Sequence, residues 1–142
     1  MTSLQRVVLA CVIATVTAVT GFVAPSGATS TPVTLHQRDS GRTVRLAVGD
    51  VVRVDLRAAS GTAYRWVVVR GKHSSVFRIV SRRSFSTDPG VPGASYHTVW
   101  RLRGTAVGRG TFKVVLRSTV NGVVARSFTV HLRVLNPDVQ QP

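Results

Sequence analysis

Few side chains in this sequence are equipped for chemistry: five aspartates, no glutamate, four histidines and one cysteine. Hydrolysis by a carboxylate pair needs two acids held several ångströms apart. Here they would have to come from Asp39, Asp50, Asp55, Asp88 and Asp138, which are scattered along the chain. Asp50 and Asp88 stand in turn contexts, where a short carboxylate commonly accepts local backbone N–H groups, so their role reads as structural. His36, His73, His97 and His131 show no metal-ligand spacing. His97 and His131 fall on outward strand faces and could meet across strands, but a zinc site needs three or four ligands, each oriented by a further partner. There is no Gly-x-Ser-x-Gly elbow, phosphate-binding Gly-rich loop or His-Glu-x-x-His motif. The residues argue against an enzyme and against a bound metal or cofactor.

Charge is the strongest compositional signal. Seventeen arginines and two lysines against five aspartates give a net charge of +14. Such a balance attracts polyanions and acidic surfaces. The arginines are spread along the whole chain rather than clustered, which equally fits a solvated, arginine-biased surface. Tyr64, Trp66 and Trp100 alternate with arginines in the manner of core residues, not of exposed stacking platforms, so no nucleic-acid partner is expected.

The first residues read as an export signal. Arg6 supplies a positive start, residues 7–19 are apolar or small, and Ser26-Gly27-Ala28 offers a cleavage point, leaving a mature chain from about Thr29. The apolar run is shorter than the roughly 20 residues a membrane span needs. Val8-Leu9-Ala10-Cys11 looks like a lipid-attachment box, but most of the apolar stretch follows Cys11 instead of preceding it. The cysteine is therefore read as part of a discarded signal, which leaves no thiol for disulfide, metal or nucleophile. A secreted protein of one domain is expected, without a membrane span and as a monomer.

After a Ser/Thr/Gly/Pro-rich lead-in (29–42) that could hold a first short strand, the pattern has a period of two from residue 43 to residue 135, followed by a tail (136–142). Val52, Val54 and Leu56 alternate with Arg53, Asp55 and Arg57; Phe112, Val114 and Leu116 do the same, as do Phe128, Val130, Leu132 and Val134. Val44, Leu46 and Val48 are assigned inward, and so are Tyr96, Thr98, Trp100 and Leu102. Residues 64–70 and 76–80 are more continuously apolar or β-branched, as strands near the centre of a sandwich can be. Asn121-Gly122 predicts a tight type I′ hairpin, with both residues at positive φ. No helical periodicity follows residue 30. Seven or eight short antiparallel strands with regular turns predict an all-β, immunoglobulin-like sandwich. Its Greek key gathers three loops at one end: residues 58–63, 86–95 and 118–124.

Around these loops the sequence resembles the chagasin family of inhibitors of papain-like cysteine peptidases, over roughly residues 44–134. Val48-Gly49-Asp50 is similar to the family's Val-Gly-Asp, and Gly61-Thr62-Ala63-Tyr64-Arg65-Trp66 to its Thr-Thr-Gly-Tyr-x-Trp. Gly90-Val91-Pro92-Gly93 resembles its second-loop glycine motif, and Ala125-Arg126-Ser127-Phe128-Thr129-Val130 its last strand. Within the family's first-loop motif, Asn-Pro-Thr-Thr-Gly-Tyr, only Thr62 and Tyr64 match. Its third-loop Arg-Pro-Trp has no Pro-Trp counterpart after Arg117.

The resemblance implies a secreted inhibitor whose three loops occlude the peptidase cleft. Ser60, Gly61, Thr62 and Ala63 would form the first contact, with Thr62 against the catalytic centre. Gly90, Val91, Pro92 and Gly93 would form the second, and Thr119, Val120 and Asn121 the third, with Tyr64 and Trp66 bracing the first loop from beneath. The alternative is an extracellular module for an acidic partner or cell-envelope polymer, using Arg53, Arg57, Arg101, Arg103, Arg117 and Arg133.

Overall fold

The computed structural model describes residues 32–139. The signal-like segment with Cys11 and its cleavage point, and the last residues of the tail, lie outside the described residues. Eight strands form two four-stranded sheets. β1 (Thr34–Leu35), β3 (Val51–Ala59), β6 (Ser95–Gly104) and β5 (Phe77–Ser86) make the first, in the order β1-β3-β6-β5. β2 (Thr43–Ala47), β8 (Val124–Leu135), β7 (Gly108–Ser118) and β4 (Tyr64–Arg70) make the second, in the order β2-β8-β7-β4.

The alternation in β3, β7 and β8 does what its period requires. Val52, Val54 and Leu56 are buried, as are Phe112, Val114 and Leu116, and Phe128, Val130, Leu132 and Val134. Trp66 from β4 and Trp100 from β6 are 1% and 0% exposed. The indole of Trp100 meets Phe112 edge to face across the core at 5.9 Å between centroids. Trp66 also joins the sheets through polar atoms: its Nε1 donates to the Arg57 carbonyl of β3 (3.3 Å), and its own carbonyl accepts Arg82 Nη2 of β5 (3.3 Å).

The strands are not all antiparallel. β1 runs parallel to β3, and β2 parallel to β8. The chain enters at the edge of the first sheet and makes a 3-10 turn (Gln37–Asp39). It then crosses to the edge of the second. A period-two pattern records which face a side chain takes and nothing about pairing direction, so the sequence could not show this. Leu35 is buried, and the crossing segment is tied down by Gly41 N–H on Thr129 O (2.7 Å) and His131 N–H on Arg42 O (2.9 Å).

Other expectations need correction. The β-branched runs of β4 and β5 lie at sheet edges, not at centres, with Val67, Val69 and Val80 exposed. Valine is favoured on any pleated backbone, so such a run does not by itself mark burial. Val48 is exposed because it lies beyond β2 in the turn that follows. His97 and Val99 are buried although their parity points outward, while Arg101 and Arg103 farther along the same face are exposed. His97 and His131 belong to different sheets and do not meet. His97 pairs with Asp55 (2.7 Å) under a stacked Phe85, while His131 Nδ1 shares a hydrogen bond with Thr111 Oγ1 (3.2 Å).

Asp39 accepts the His36 amide (2.9 Å) and pairs with Arg42 (2.8 Å). The amide first, then the Arg42 guanidinium, hold its carboxyl below the usual carboxylate range. A carboxyl whose folded pKa is depressed adds stability above its unfolded pKa, near 4, and loses it as pH falls through the folded value. Arg42 is two-thirds exposed, so solvent screens the pair. Asp39→Asn should cost about 1 kcal/mol at neutral pH, and the gap to the parent should close below about pH 4 in denaturation curves. A pH-independent gap would contradict this assignment. Trp66→Ala should destabilise by about 3 to 5 kcal/mol in thermal melts; a change within noise would place the indole outside the core.

Candidate functional site

The register of the two sheets brings three connections to one end. Ala59 faces Ser95 at the end of the β3–β6 ladder, and Tyr64 faces Ser118 at the end of the β4–β7 ladder. The first loop, Ser60-Gly61-Thr62-Ala63, is the crossing from one sheet to the other, so it stands between the remaining two. Ser60 N–H donates to Ala94 O of the second loop (2.8 Å). On the other side, Thr119 of the third loop gives both its N–H (2.7 Å) and its Oγ1–H (2.9 Å) to Ala63 O. The three loops therefore form one hydrogen-bonded unit.

Each loop is also closed on itself. In the first, Thr62 Oγ1 donates to Ala59 O (2.9 Å), and Arg65 Nη1 donates to Thr62 O and Tyr64 O (2.9 and 2.8 Å). The Arg65 guanidinium lies 5.5 Å from the Tyr96 ring centroid. The expected Thr62 is thus half-buried, with its hydroxyl engaged within the loop. Tyr64 is half-buried and packs on the core beneath, next to the buried Trp66.

The second loop is two successive turns of one kind. In Asp88-Pro89-Gly90-Val91 the Val91 N–H reaches Asp88 O, and in Val91-Pro92-Gly93-Ala94 the Ala94 N–H reaches Val91 O, both at 3.2 Å. Proline fixes φ at the second position of each turn, and a type II turn needs positive φ at the third. Gly90 and Gly93 supply it, at +91° and +80°.

The third loop differs from expectation. No residue other than glycine has positive φ among the described residues, so Asn121-Gly122 is not a type I′ turn. Five residues separate β7 from β8 instead. Gly122 N–H closes on Ser118 O (3.1 Å), and Ser118 Oγ accepts the N–H groups of Val120 and Asn121. The buried Ser118 hydroxyl replaces the pairing a two-residue hairpin would have supplied.

Residue-type reasoning missed Ser118, Ala94 and Arg65. Their parts are played by backbone atoms or by local hydrogen bonds, which carry little sequence signal. The Pro-Gly repeat at 89–90 and 92–93 did carry one, since that dipeptide is a type II turn signature.

Electrostatically this end is set apart. Residues 60–63, 89–94 and 118–123 contain no charged side chain in a chain of net charge +14. Val91, Val120 and Val123 are 56%, 83% and 53% exposed. Apolar side chains grouped at one exposed place suit a protein contact. Among the described residues no three His, Cys, Asp or Glu side chains gather to hold a metal ion. Outside this end, Asp50 Oδ2 accepts the Ala47 N–H (2.9 Å), the local turn role read from the sequence.

The sequence profile described as Chagasin family peptidase inhibitor I42 matches residues 45–134. No curated protein matches the chain closely in sequence. Among solved structures, the cysteine protease inhibitor EhICP2 from Entamoeba histolytica is similar, with a TM-score of 0.63 at 19% identity over 72% of this chain and 95% of that one. Amebosin superposes with a TM-score of 0.59 at 22% identity, over 74% of this chain and 99% of its own. PbICP-C, solved in complex with falcipain-2, gives 0.52 at 15% identity, over 72% and 99%. At these identities the structural likeness concerns the fold.

Gly90→Ala and Gly93→Ala should each destabilise by about 1 to 2 kcal/mol, the cost of a left-handed backbone for an L-residue. Open space surrounds both positions, so no steric clash adds to it. Chemical denaturation measures this; unchanged midpoints would mean that the tandem turns are not held.

Proposed function

We propose that this chain, which belongs to the chagasin family of peptidase inhibitors, inhibits papain-like cysteine peptidases by seating its three-loop end in the active-site cleft. The observation that carries the mechanism is the hydrogen bonding of the first loop to both neighbours, through Ser60 to Ala94 and through Thr119 to Ala63. A wedge already ordered before binding loses little conformational entropy on contact. Thr62 and Ala63 form its central element, Gly90 to Gly93 one flank, and Thr119, Val120 and Asn121 the other. The third loop lacks the family's Pro-Trp and offers the exposed side chain of Val120 as a smaller apolar contact. Residues 60–63, 89–94 and 118–123 carry no charged side chain and act by occupying the cleft. We place this activity outside the cytoplasm, on the strength of the signal-like residues 1–28.

Inhibition kinetics against papain and a cathepsin-like enzyme test the reading. Thr62→Arg should abolish inhibition, because a charged head would have to be desolvated at the centre of the contact. Stability should fall by no more than about 1 kcal/mol, the worth of the one hydrogen bond to Ala59. Inhibition should persist at moderate salt, since the buried surface is uncharged. Full inhibition by Thr62→Arg, or no inhibition by the parent protein, would overturn the wedge. Mass spectrometry of exported protein should find the mature terminus near Thr29; an intact Met1 would contradict export.

A further inference from the structure

Away from the wedge, the second sheet carries an arrangement that its own stability does not explain. Arg45 of β2 is directly opposite Arg133 of β8, and Arg133 directly opposite Arg109 of β7. All three are exposed on the outer face, so three guanidinium groups line up across adjacent strands spaced about 5 Å apart. Like charges in direct cross-strand register destabilise a sheet. The ion pairs of Arg42 with Asp39 and of Arg53 with Asp55, and the contact of His97 with Asp55, all lie away from this row.

Beside the row lies a cleft of about 810 Å³, between the β4–β5 connection and strands β7 and β8. Arg70, Arg109 and Arg133 line it together with the imidazoles of His73 and His131 and neutral hydroxyls such as that of Ser74. No carboxylate and no Phe, Tyr or Trp ring lines it.

We propose that the arginine row and this cleft form a second binding site, for a glycan polymer bearing sulfate or phosphate esters. The planar guanidinium fork matches a tetrahedral oxyanion bidentately. The hydroxyls and imidazoles suit the alternating donors and acceptors of sugar rings. A single-stranded nucleic acid would want Phe, Tyr or Trp rings on which to stack its bases, and none lines the cleft. The row spans three strands, which suits a chain carrying repeated anionic groups better than a single ion. The site lies at the end of β7 remote from Ser118, with Arg109 about 30 Å from the wedge at roughly 3.3 Å per residue. A polymer held there leaves the three loops open, and the proposal stands whether or not the wedge inhibits a peptidase.

Binding of length-matched dextran sulfate, phosphomannan and unsubstituted dextran to the whole protein, followed by fluorescence anisotropy at physiological ionic strength, tests it. The triple variant R45Q/R109Q/R133Q should weaken binding of the ester-bearing glycans by at least about tenfold, through the loss of three charge-assisted contacts. R53Q/R101Q/R103Q removes the same charge from the other sheet and should weaken it by less than about threefold, as general screening of a distant field predicts. The tighter of the two ester-bearing glycans identifies the ester. Without ligand, the first variant should melt no lower than the parent, because relieving the row removes repulsion. Equal losses from the two triple variants would overturn the site, leaving general attraction to a basic protein. So would binding to unsubstituted dextran, or to a DNA duplex, as tight as to the ester-bearing glycans.

Discussion

The burial of Trp66 between the sheets is the interaction on which the rest depends. Its ring fills the core from the edge strand of one sheet, and its Nε1 reaches across to the Arg57 carbonyl of the other. Arg82 returns the link from the first sheet, donating to the Trp66 carbonyl while its guanidinium lies 5.9 Å from the Trp100 ring centroid. β4 is thereby fixed against β3 although the two belong to different sheets. The crossing between them, residues 60–63, has both its ends anchored within a few residues of this contact. A short crossover between two fixed points has few conformations open to it. The first loop is ordered by the core beneath it before any partner arrives.

That order spreads sideways. With the first loop in place, Ser60 can hold the second loop and Ala63 the third, and each of these closes on itself through turn chemistry. Proline and positive-φ glycine set the second loop; the Ser118 hydroxyl and Gly122 set the third. The chain also divides its charge. Arginines occupy the outer faces of both sheets, whereas loop residues 60–63, 89–94 and 118–123 carry no charge and include exposed valines. One end of the molecule suits a dry contact with a protein cleft. The sheet faces suit anions in water.

Much of this was legible in the residues and some was not, for physical reasons. The inward faces of β3, β7 and β8 could be read directly, because a strand buried on one side must alternate. The sandwich followed from the number of such strands, and the position of the three loops followed from its topology. Sheet order was hidden, because the valines of β4 and β5 satisfy a pleated backbone equally well at an edge or a centre. Parallel pairing of β1 and β2 was hidden because alternation does not encode direction. Asn121-Gly122 misled, since a favourable dipeptide was overridden by the Ser118 hydroxyl. Within the wedge, glycine and proline positions were readable, while the links through Ala63 and Ala94 use carbonyl oxygens that every residue possesses.

The central claim is that the three loops act as one preformed contact surface. Chemical-shift mapping of the isotope-labelled protein, on addition of a papain-like peptidase with its catalytic cysteine blocked reversibly and removably, addresses it most directly. The account predicts perturbations confined to residues 58–64, 87–95 and 118–124, appearing together at one stoichiometry, with the arginine-bearing sheet faces unchanged. Perturbations centred on those faces, or on one loop without the other two, would contradict it.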